Sequence, residues 1–210
     1  MKIINGLAFP DSDKHMYKEY SEGRCQLDTL DVALKYVTKF DCAVDAGAFI
    51  GVWSIEMSKS FSEVFSFEPA QDTFDCLEQN VQNIHNIYCI NSALGDEYGT
   101  ASLDQDARWD GNTGGRYLVK GNDCLVSKLD DYHLPTLDFF KLDIEGYEYF
   151  ALKGAEETLL KYKPIICCEQ KARLEQRQGV SKNMVGDYLK SLGYELVEKN
   201  RKDYIYASNN

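Results

Sequence analysis

Five acidic side chains follow apolar, strand-like runs of this 210-residue sequence at the points where those runs end: Asp45, Glu68, Asp143, Glu145 and Glu169. In an open α/β sheet, ligands bind beyond the carboxyl ends of the strands, so side chains at those ends face a common crevice. A carboxylate in such a crevice accepts a hydrogen bond from a hydroxyl group, takes its proton, or ligates a hard cation. This placement predicts a ligand site with acid–base chemistry at one edge of a sheet.

A glycine-rich turn follows the first apolar run. Gly47 suits backbone angles that other residues avoid, and Gly51 allows a helix and a strand to approach closely. The turn lacks the Gly-x-Gly-x-x-Gly pattern of dinucleotide sites, and the carboxylate of Asp45 repels a diphosphate but suits an ammonium or sulfonium group. We therefore predict that Asp45, Gly47, Ala48, Phe49 and Gly51 bind a cofactor with a cationic amino-acid moiety. An ordinary tight turn capped by Asp45 is the alternative.

The second run ends in Glu68 and Pro69, about 20 residues after the first glycine of the turn. Nucleotide-binding α/β proteins place an acid at this distance, where it accepts hydrogen bonds from ribose hydroxyls. Pro69 cannot continue the strand and so presents Glu68 at its tip. A ribose without a diphosphate cradle suggests S-adenosylmethionine. Ser92 and Ala93, after the third run, are candidates for the edge of the adenine site, although a plain loop fits them equally well.

The fourth run carries the densest charge cluster. Strand alternation places Lys141 and Asp143 on one face, so Asp143 or the nearby Glu145 can act as general base, while Lys141 holds a substrate oxygen or lowers a pKa. Glu169 ends the next run and would face the same crevice as Asp143. Together Asp143 and Glu169 form either a Mg²⁺ or Mn²⁺ site or a base with a substrate-binding acid. An ion-paired strand end without catalytic function is the alternative.

The elements that position these residues alternate along the chain. The predicted strands are Cys42–Asp45, Glu63–Phe67, Ile87–Asn91, Phe139–Asp143 and Ile165–Glu169. The predicted helices between and after them are Val52–Ser60, Thr73–Asn83, Ala151–Leu160 and Lys182–Leu192. Near-continuous apolar strands separated by helices indicate an α/β fold with a Rossmann-like, doubly wound and mostly parallel sheet. Tyr194–Lys199 and Tyr204–Ala207 predict a C-terminal antiparallel hairpin, which brings the sheet to seven strands.

The length suits one domain, and we expect residues 1–210 to form it. The first 40 residues are a polar segment followed by a helix from Leu27 to Lys39. His15 lies in the polar segment, which could fold over the site and make His15 a catalytic residue; a solvated loop is the alternative. Residues 99–129 interrupt the alternation, and the short runs Ala101–Leu103 and Tyr117–Lys120 predict a β-hairpin near the substrate site.

The formal net charge of −11 opposes binding to nucleic acid or to an anionic membrane. No apolar run is long enough to cross a membrane, and the N-terminal residues lack the apolar core of a signal peptide. Seven scattered cysteines without a Cys-x-x-Cys pair fit reduced thiols better than a zinc site or a disulfide scaffold. These features predict a cytoplasmic protein.

Taken together, the motifs resemble those of the FkbM family of methyltransferases, over about residues 30–169. The resemblance rests on Val44–Gly51, Phe67–Pro69, Asn91–Asp96, Asn112–Gly115, Lys128–Asp130, Lys141–Glu148, Leu152–Ala155 and Pro164–Glu169. It implies the class I methyltransferase fold, S-adenosyl-L-methionine as cofactor, and methylation of a hydroxyl group on a sugar, a glycan or a small natural product. The family commonly has Asn where this chain has Phe49, which puts any contact made by that side chain in doubt.

The sequence therefore predicts an S-adenosylmethionine-dependent O-methyltransferase with a small-molecule or glycan acceptor. Two other functions remain open. The first is a non-catalytic module that binds S-adenosylmethionine and serves as a scaffold. The second is a nicotinamide-dependent oxidoreductase, which the missing Gly-x-Gly-x-x-Gly pattern disfavours.

Overall fold

The structure, a computed structural model, describes residues 1–22, 27–181 and 183–209. Cys25, one of the seven cysteines, and Lys182, the first residue of a predicted helix, lie outside the described residues. The described strands are β1 (Lys2–Ile4), β2 (Leu7–Phe9), β3 (Cys42–Ala46), β4 (Glu63–Phe67), β5 (Ile87–Ile90), β6 (Ala93–Leu94), β7 (Gly99–Asp104), β8 (Tyr117–Lys120), β9 (Cys124–Ser127), β10 (Phe139–Leu142), β11 (Ile165–Glu169), β12 (Tyr194–Asn200) and β13 (Asp203–Ser208). The described α-helices are α1 (Met16–Ser21), α2 (Leu27–Leu34), α3 (Val52–Met57), α4 (Gln71–Val81), α5 (Glu148–Lys153), α6 (Glu156–Tyr162), α7 (Ala172–Arg177) and α8 (Met184–Ser191).

The central sheet has seven strands in the order β12-β13-β11-β10-β3-β4-β5. Strands β11, β10, β3, β4 and β5 are parallel, whereas β13 runs antiparallel to both β11 and β12. Every residue of β3 and β10 is buried, because the sheet interior is covered on both faces. The predicted doubly wound sheet with a C-terminal antiparallel hairpin is confirmed.

The strand order reverses between β3 and β10. From β3 the chain proceeds through β4 to β5 on one side, and it then returns to β10 and β11 on the other. A crevice opens at the carboxyl ends of the two strands where the direction of winding changes, and ligands of open α/β sheets bind there. The turn after β3 and the acidic segment after β10 therefore face each other.

The predicted helix Ala151–Leu160 is in fact two helices, α5 and α6, separated at Gly154 and Ala155. Gly154 ends α5 where the chain meets the loop after β6: a Cβ atom at Gly154 would lie 1.8 Å from the carbonyl oxygen of Gly95. The close backbone contact explains why a glycine interrupts an otherwise continuous amphipathic pattern.

The excursion at residues 99–129 is more than the predicted hairpin. Strands β7 and β8 pair antiparallel as expected, but β9 pairs with the other side of β7, and the short β6 adds to β9. The result is a separate four-stranded sheet in the order β6-β9-β7-β8. The sequence did not reveal it because β6 has only two residues and β9 only four.

The N-terminal segment is also more ordered than predicted, since it contains the β1–β2 hairpin and α1. The side chain of Asn80 on α4 accepts a hydrogen bond from Ala8 N at 2.6 Å and donates one to Ala8 O at 3.1 Å. Phe9 packs with Ile50 of the glycine-rich turn. The hairpin is thereby fixed next to the crevice. The helix predicted for residues 27–39 ends earlier, at Leu34.

Among the described residues, no helix is long and apolar enough to cross a membrane. The six described cysteines are free thiols, and all except Cys89 are buried.

Replacing Gly154 with Ala tests the close contact between α5 and the loop after β6. The added methyl group has no space against the Gly95 carbonyl, so we expect a loss of about 1–3 kcal/mol in the free energy of unfolding, measured by urea denaturation. Gly186→Ala in α8 is the matched control, because its Cβ atom would meet only the Tyr206 hydroxyl at 3.4 Å. This control should be neutral or slightly stabilising. Equal effects of the two substitutions would contradict the packing argument.

Candidate active site

Two cavities meet at the carboxyl ends of β3 and β10. Together with the open solvent at their mouths, they enclose about 580 and about 740 Å³ of empty space. The first cavity is lined by residues that include Glu68, Pro69, Ser92, Ala93, Thr113 and Arg116. The second is lined by residues that include Phe9, Tyr20, Ala48, Ile50, Trp53 and Lys141. Both are lined by Gly47, Phe49, Gly114 and Asp143, so a ligand that extends from one cavity into the other passes these four residues.

The glycine-rich turn is shaped by three residues with positive φ: Gly47 at 78°, Phe49 at 54° and Gly51 at 90°. A Cβ atom at Gly47 would lie 2.0 Å from the carbonyl oxygen of Asp143, so only glycine allows this contact between the turn and β10. A Cβ atom at Gly51 would lie 2.6 Å from Leu77 of α4. Gly51 therefore serves helix packing and does not line either cavity, whereas Gly47, Ala48 and Phe49 do.

Phe49 occupies a left-handed conformation that costs a residue with a Cβ atom about 1 kcal/mol and that Asn tolerates better. This accounts for the Asn that FkbM-type turns commonly have at this position. The Phe49 ring packs with the N-terminal cluster around Phe9 and Ile50, and it stands between the two cavities. The contact that replaces the Asn side chain is thus apolar packing.

Asp45 and Lys141 form a buried ion pair beneath the turn. They are register partners on β3 and β10, and Lys141 Nζ lies 2.8 Å from Asp45 Oδ1. Lys141 Nζ also donates hydrogen bonds to the carbonyl oxygens of Gly47 at 2.8 Å and Ala46 at 3.3 Å. Ser54 Oγ donates to Asp45 Oδ2 at 2.6 Å. Asp45 is fully buried and does not line either cavity, in contrast to the cofactor contact expected from the sequence.

Lys141 keeps its charge in this buried place. Burial alone would lower the pKa of its ammonium group, but the carboxylates of Asp45 and Asp143 outweigh burial and raise it. The Lys141 ammonium group lies 5.7 Å from the centre of the Trp53 ring, which also lines the second cavity. Lys141 therefore supports the turn from below and contributes positive charge to the floor of the cavity.

Glu68 lines the first cavity at the end of β4. Its Oε2 accepts a hydrogen bond from Phe49 N at 2.9 Å, and its Oε1 accepts bonds from Ala70 N at 2.9 Å and Thr73 Oγ1 at 2.8 Å. Burial raises the pKa of the Glu68 carboxyl to about 7, against the hydrogen bonds from Ala70, Thr73 and Phe49 that favour its ionised form. The carboxylate is thus held rigidly, and its ionisation changes near neutral pH.

Pro69, Ser92 and Ala93 line the first cavity next to Glu68, as the sequence predicted for the nucleoside end of the site. Ser92 Oγ donates to Ala93 O at 2.9 Å and lies 2.9 Å from Ser127 Oγ. Because its hydroxyl is engaged in this way, Ser92 contributes the shape of the cavity wall.

Asp143, Glu145 and Glu169 converge beyond β10 and β11, with one carboxylate oxygen of each within 4.8 Å of the others. Lys171 joins them: its Nζ lies 2.9 Å from Glu145 Oε1 and 2.5 Å from Glu169 Oε2. The sequence analysis did not identify Lys171, although its position two residues after the end of β11 was a usable signal.

The pKa values of the Asp143 and Glu169 carboxyl groups are shifted in opposite directions. Burial and the neighbouring Asp143 carboxylate raise the pKa of Glu169. For Asp143, burial would also raise the pKa, but the ammonium groups of Lys171 and Lys141 and a hydrogen bond from Glu169 lower it. These opposite shifts favour the proton on Glu169 and the ionised form of Asp143. Burial and the nearby Asp143 likewise raise the pKa of Glu145.

The same cluster does not fit the Mg²⁺ or Mn²⁺ ion expected as one alternative. The Lys171 ammonium group already bridges Glu145 and Glu169 and supplies the positive charge that an ion would bring. In this structure the ammonium group of Lys171, and not a metal ion, is the countercharge of the cluster.

Glu148 fixes the chain that carries these acids. Its side chain, only 1% exposed, accepts hydrogen bonds from Ile144 N at 3.0 Å and Gly146 N at 3.2 Å, and burial raises its pKa to about 8. The turn needs this support because Glu145 and Gly146 both have positive φ, 55° and 103°. Sequence analysis did not identify this role of Glu148.

The N-terminal segment and the excursion meet above the cavities. Asp13, which is 1% exposed, accepts a hydrogen bond from Thr113 Oγ1 at 2.6 Å, and Lys14 N donates to Gly111 O at 2.8 Å. His15 Nε2 lies 3.2 Å from the carbonyl oxygen of Asp110. His15 does not line either cavity, so the structure does not bring it to the predicted catalytic position.

Arg116 closes the first cavity from the excursion side. Its guanidinium group makes a bidentate ion pair with Asp72 in the first turn of α4. Sequence analysis missed this contact, because its two residues are 44 positions apart and neither belongs to a recognisable motif.

The chain matches the family described as Methyltransferase FkbM domain over residues 45–196. The chain belongs to the FkbM methyltransferase family. The matched segment begins at the buried ion pair and includes the turn, Glu68 and the Asp143 cluster.

A curated relative, hexuronic acid methyltransferase AglP of Haloferax volcanii, is 26% identical over 193 residues, which cover 87% of this chain and 76% of that protein. Among solved structures, methyltransferase FkbM of Methylobacillus flagellatus has a TM-score of 0.51 at 19% identity. That match covers 80% of this chain but only 43% of the other. The Streptococcus mutans protein SMU.1697c, solved in complex with SAH, has a TM-score of 0.52 at 12% identity, covering 87% and 96% of the two chains.

The fold of these solved structures agrees with the strand order of the central sheet. The solved structures establish the class I methyltransferase fold, and the family establishes an S-adenosylmethionine-dependent methyltransferase. The oxidoreductase alternative is thereby excluded.

Lys141→Met tests the ion pair that supports the site. The substitution leaves the carboxylate of Asp45 buried without a countercharge, so the free energy of unfolding should fall by about 3–5 kcal/mol in urea denaturation. The double variant Asp45→Asn with Lys141→Met removes both charges and should recover most of this loss. A loss below about 1 kcal/mol in the single variant, typical of exposed pairs, would contradict a structural role for the pair.

Proposed function

We propose that this protein is an O-methyltransferase that transfers the methyl group of S-adenosylmethionine to a hydroxyl group of a sugar, a glycan or a small natural product. The observation that carries the proposal is the position of Asp143. Asp143 lines both cavities at their junction, where the methyl group of the cofactor and the acceptor hydroxyl would meet.

The lining residues favour one orientation of the cofactor, with the nucleoside at Glu68 and the methionine end near Asp143. Glu68 offers a rigid carboxylate to the ribose hydroxyls, and Pro69, Ser92 and Ala93 border the adenine. The methionine end would pass Gly47 toward Asp143, whose negative charge favours the sulfonium group. Binding there places the methyl group at the junction, so much of the acceleration would come from positioning.

Methyl transfer to a hydroxyl group needs a base that accepts the hydroxyl proton. The oxygen lone pair forms the new C–O bond while the C–S bond breaks, and the sulfur leaves with that electron pair as the thioether of S-adenosylhomocysteine. As the C–O bond forms, the oxygen gains positive charge and its proton becomes strongly acidic. The Asp143 carboxylate can therefore take this proton despite its lowered pKa. The protonated Glu169 side chain would hold the Asp143 carboxylate in place through a hydrogen bond.

The surrounding residues have supporting roles in this proposal. Lys141 and Glu145 position the turn and the charge cluster, and Lys171 balances the charge. Residues 1–22 and 99–129 cover the cavities, and a hydrogen bond between Asp13 and Thr113 joins the two segments. The similarity to a hexuronic acid methyltransferase supports a saccharide acceptor.

Asp143→Asn should abolish the base but preserve the fold. With S-[methyl-³H]adenosylmethionine and a polysaccharide extract as acceptor, we expect the rate of label transfer to fall by about 100-fold or more, with S-adenosylhomocysteine affinity changed far less. Label placed on hydroxyl groups as methyl ethers should survive mild alkali. Release of the label as methanol would show methyl esters and would contradict transfer to a hydroxyl.

Glu169→Gln is the matched control for this experiment. Because Glu169 is already protonated, the Gln amide can donate the same hydrogen bond to Asp143, and most of the activity should remain. Full activity of the Asp143→Asn variant, or equal losses of activity in both variants, would contradict the assignment of Asp143 as the base.

The affinity for S-adenosylhomocysteine should depend on pH through Glu68. The raised pKa of about 7 means that Glu68 becomes ionised as the pH rises through neutrality, and the ionised form is the better acceptor for ribose hydroxyls. Calorimetry should therefore show tighter binding at about pH 8 than at about pH 6. Glu68→Gln should bind weakly and without this dependence, whereas Glu63→Gln, at the other end of β4, should retain it. A flat profile in the unmodified protein would refute the assignment.

A further inference from the structure

A third cavity adjoins the acid cluster on the side away from the nucleoside end. Lys171, Arg173 and Arg177 line it from the end of β11 and from α7, and Lys202 lines it from the C-terminal hairpin. The opposite wall comes from the excursion, through Asp106, Asn112, Gly115 and Tyr117. Glu145 also lines this cavity, which connects it to the Asp143 cluster through a shared residue.

The charge of this cavity is opposite to that of the protein. Four cationic side chains line it against two carboxylates, Asp106 and Glu145, whereas the whole chain has a formal net charge of −11. The Asp106 carboxylate is shared among three guanidinium groups, with Arg108 at 2.7 Å, Arg177 at 3.1 Å, and Arg173 also in contact. One carboxylate cannot neutralise three arginines, so positive potential remains inside the cavity.

Two polar groups of the cavity form no ion pair or hydrogen bond within the described part of the chain, although the charge of Lys202 acts on Asp143 and Glu145. Lys202 is exposed, and its ammonium group makes no ion pair with any described residue. The side-chain oxygen of Asn112 is buried and accepts no hydrogen bond from the described residues. Buried polar atoms are normally paired, so an unpaired amide oxygen next to a cationic cluster indicates space for a polar ligand.

We propose that this cavity binds an anionic group of the methyl acceptor, a carboxylate or a phosphate, and so selects acidic saccharides over neutral ones. The inference rests on the proposed function and adds the charge of its substrate. Arg173, Arg177 and Lys202 would bind the anion, and Asn112 would accept a hydrogen bond from a neighbouring hydroxyl. The hydroxyl to be methylated would then extend past Glu145 toward Asp143.

The arrangement of the arginines suits this role. Arg177 is held by stacking on Tyr117, with its guanidinium carbon 4.5 Å from the ring centre, so little freedom is lost when an anion binds. Arg173 is 56% exposed at its side chain and can turn from Asp106 to a ligand. A neutral sugar offers no partner for the excess charge and would gain only the Asn112 contact.

Calorimetric titration tests the proposal with three small probes: D-glucuronate, D-glucose 1-phosphate and D-glucose. With the protein saturated by S-adenosylhomocysteine, we expect at least one of the two anions to bind about tenfold or more tightly than glucose. The relative affinity of the two anions identifies the preferred group, carboxylate or phosphate. The double variant Arg177→Gln with Lys202→Gln should lose about tenfold or more in affinity for the preferred anion but leave glucose unaffected.

Lys199→Gln is the control, because Lys199 lies on the same hairpin as Lys202 but does not line the cavity. It should leave the binding of all three probes unchanged. Anions that bind no more tightly than glucose, or that bind the double variant as well as the unmodified protein, would overturn the proposal. The titrations are repeated without S-adenosylhomocysteine, so that failure of the cofactor to bind would count against the proposed function while the anion preference is still measured.

Discussion

The buried ion pair between Asp45 and Lys141 is the constraint on which the site depends. It joins the two strands where the winding of the sheet reverses, and neither charge is stable in the interior without the other. Because Lys141 also binds the carbonyl oxygen of Gly47, the pair fixes the glycine-rich turn relative to β10. Gly47 can then lie against the backbone of Asp143. The glycine-rich turn and the proposed catalytic carboxylate are in this way parts of one rigid unit.

Burial has a different consequence for each carboxylate of the site, since each has different partners. Glu68 is surrounded by neutral donors, and its pKa rises to about 7. Two ammonium groups near Asp143 lower its pKa, whereas burial and the Asp143 carboxylate raise the pKa of Glu169. Similar side chains at the ends of β4, β10 and β11 thus differ in their partners, as the proposed roles in ribose binding and proton transfer require. Lys171 supplies the nearby positive charge, so this division of roles needs no metal ion.

Local sequence predicted the central sheet well, since its strands are continuous apolar runs. Both Glu63–Phe67 and Ile165–Glu169 have the predicted bounds. The positions of Glu68 and Asp143 followed from the rule that ligands bind at the carboxyl ends of strands, and both line the cavities. The function of Asp45 was not predictable, because a carboxylate before a glycine turn gives no sign of whether it points to a ligand or to a buried lysine. The second sheet was missed for a similar reason: its pairing depends on contacts between distant, short segments.

A crystal structure of the protein with S-adenosylhomocysteine tests the central claim most directly, because it locates the sulfur atom relative to the carboxylates. We predict that the ribose hydroxyls lie within hydrogen-bonding distance of Glu68, and that the sulfur lies at the junction of the two cavities, next to Gly47 and Asp143. A ligand whose ribose avoids Glu68, or whose sulfur faces away from Asp143, would contradict the account.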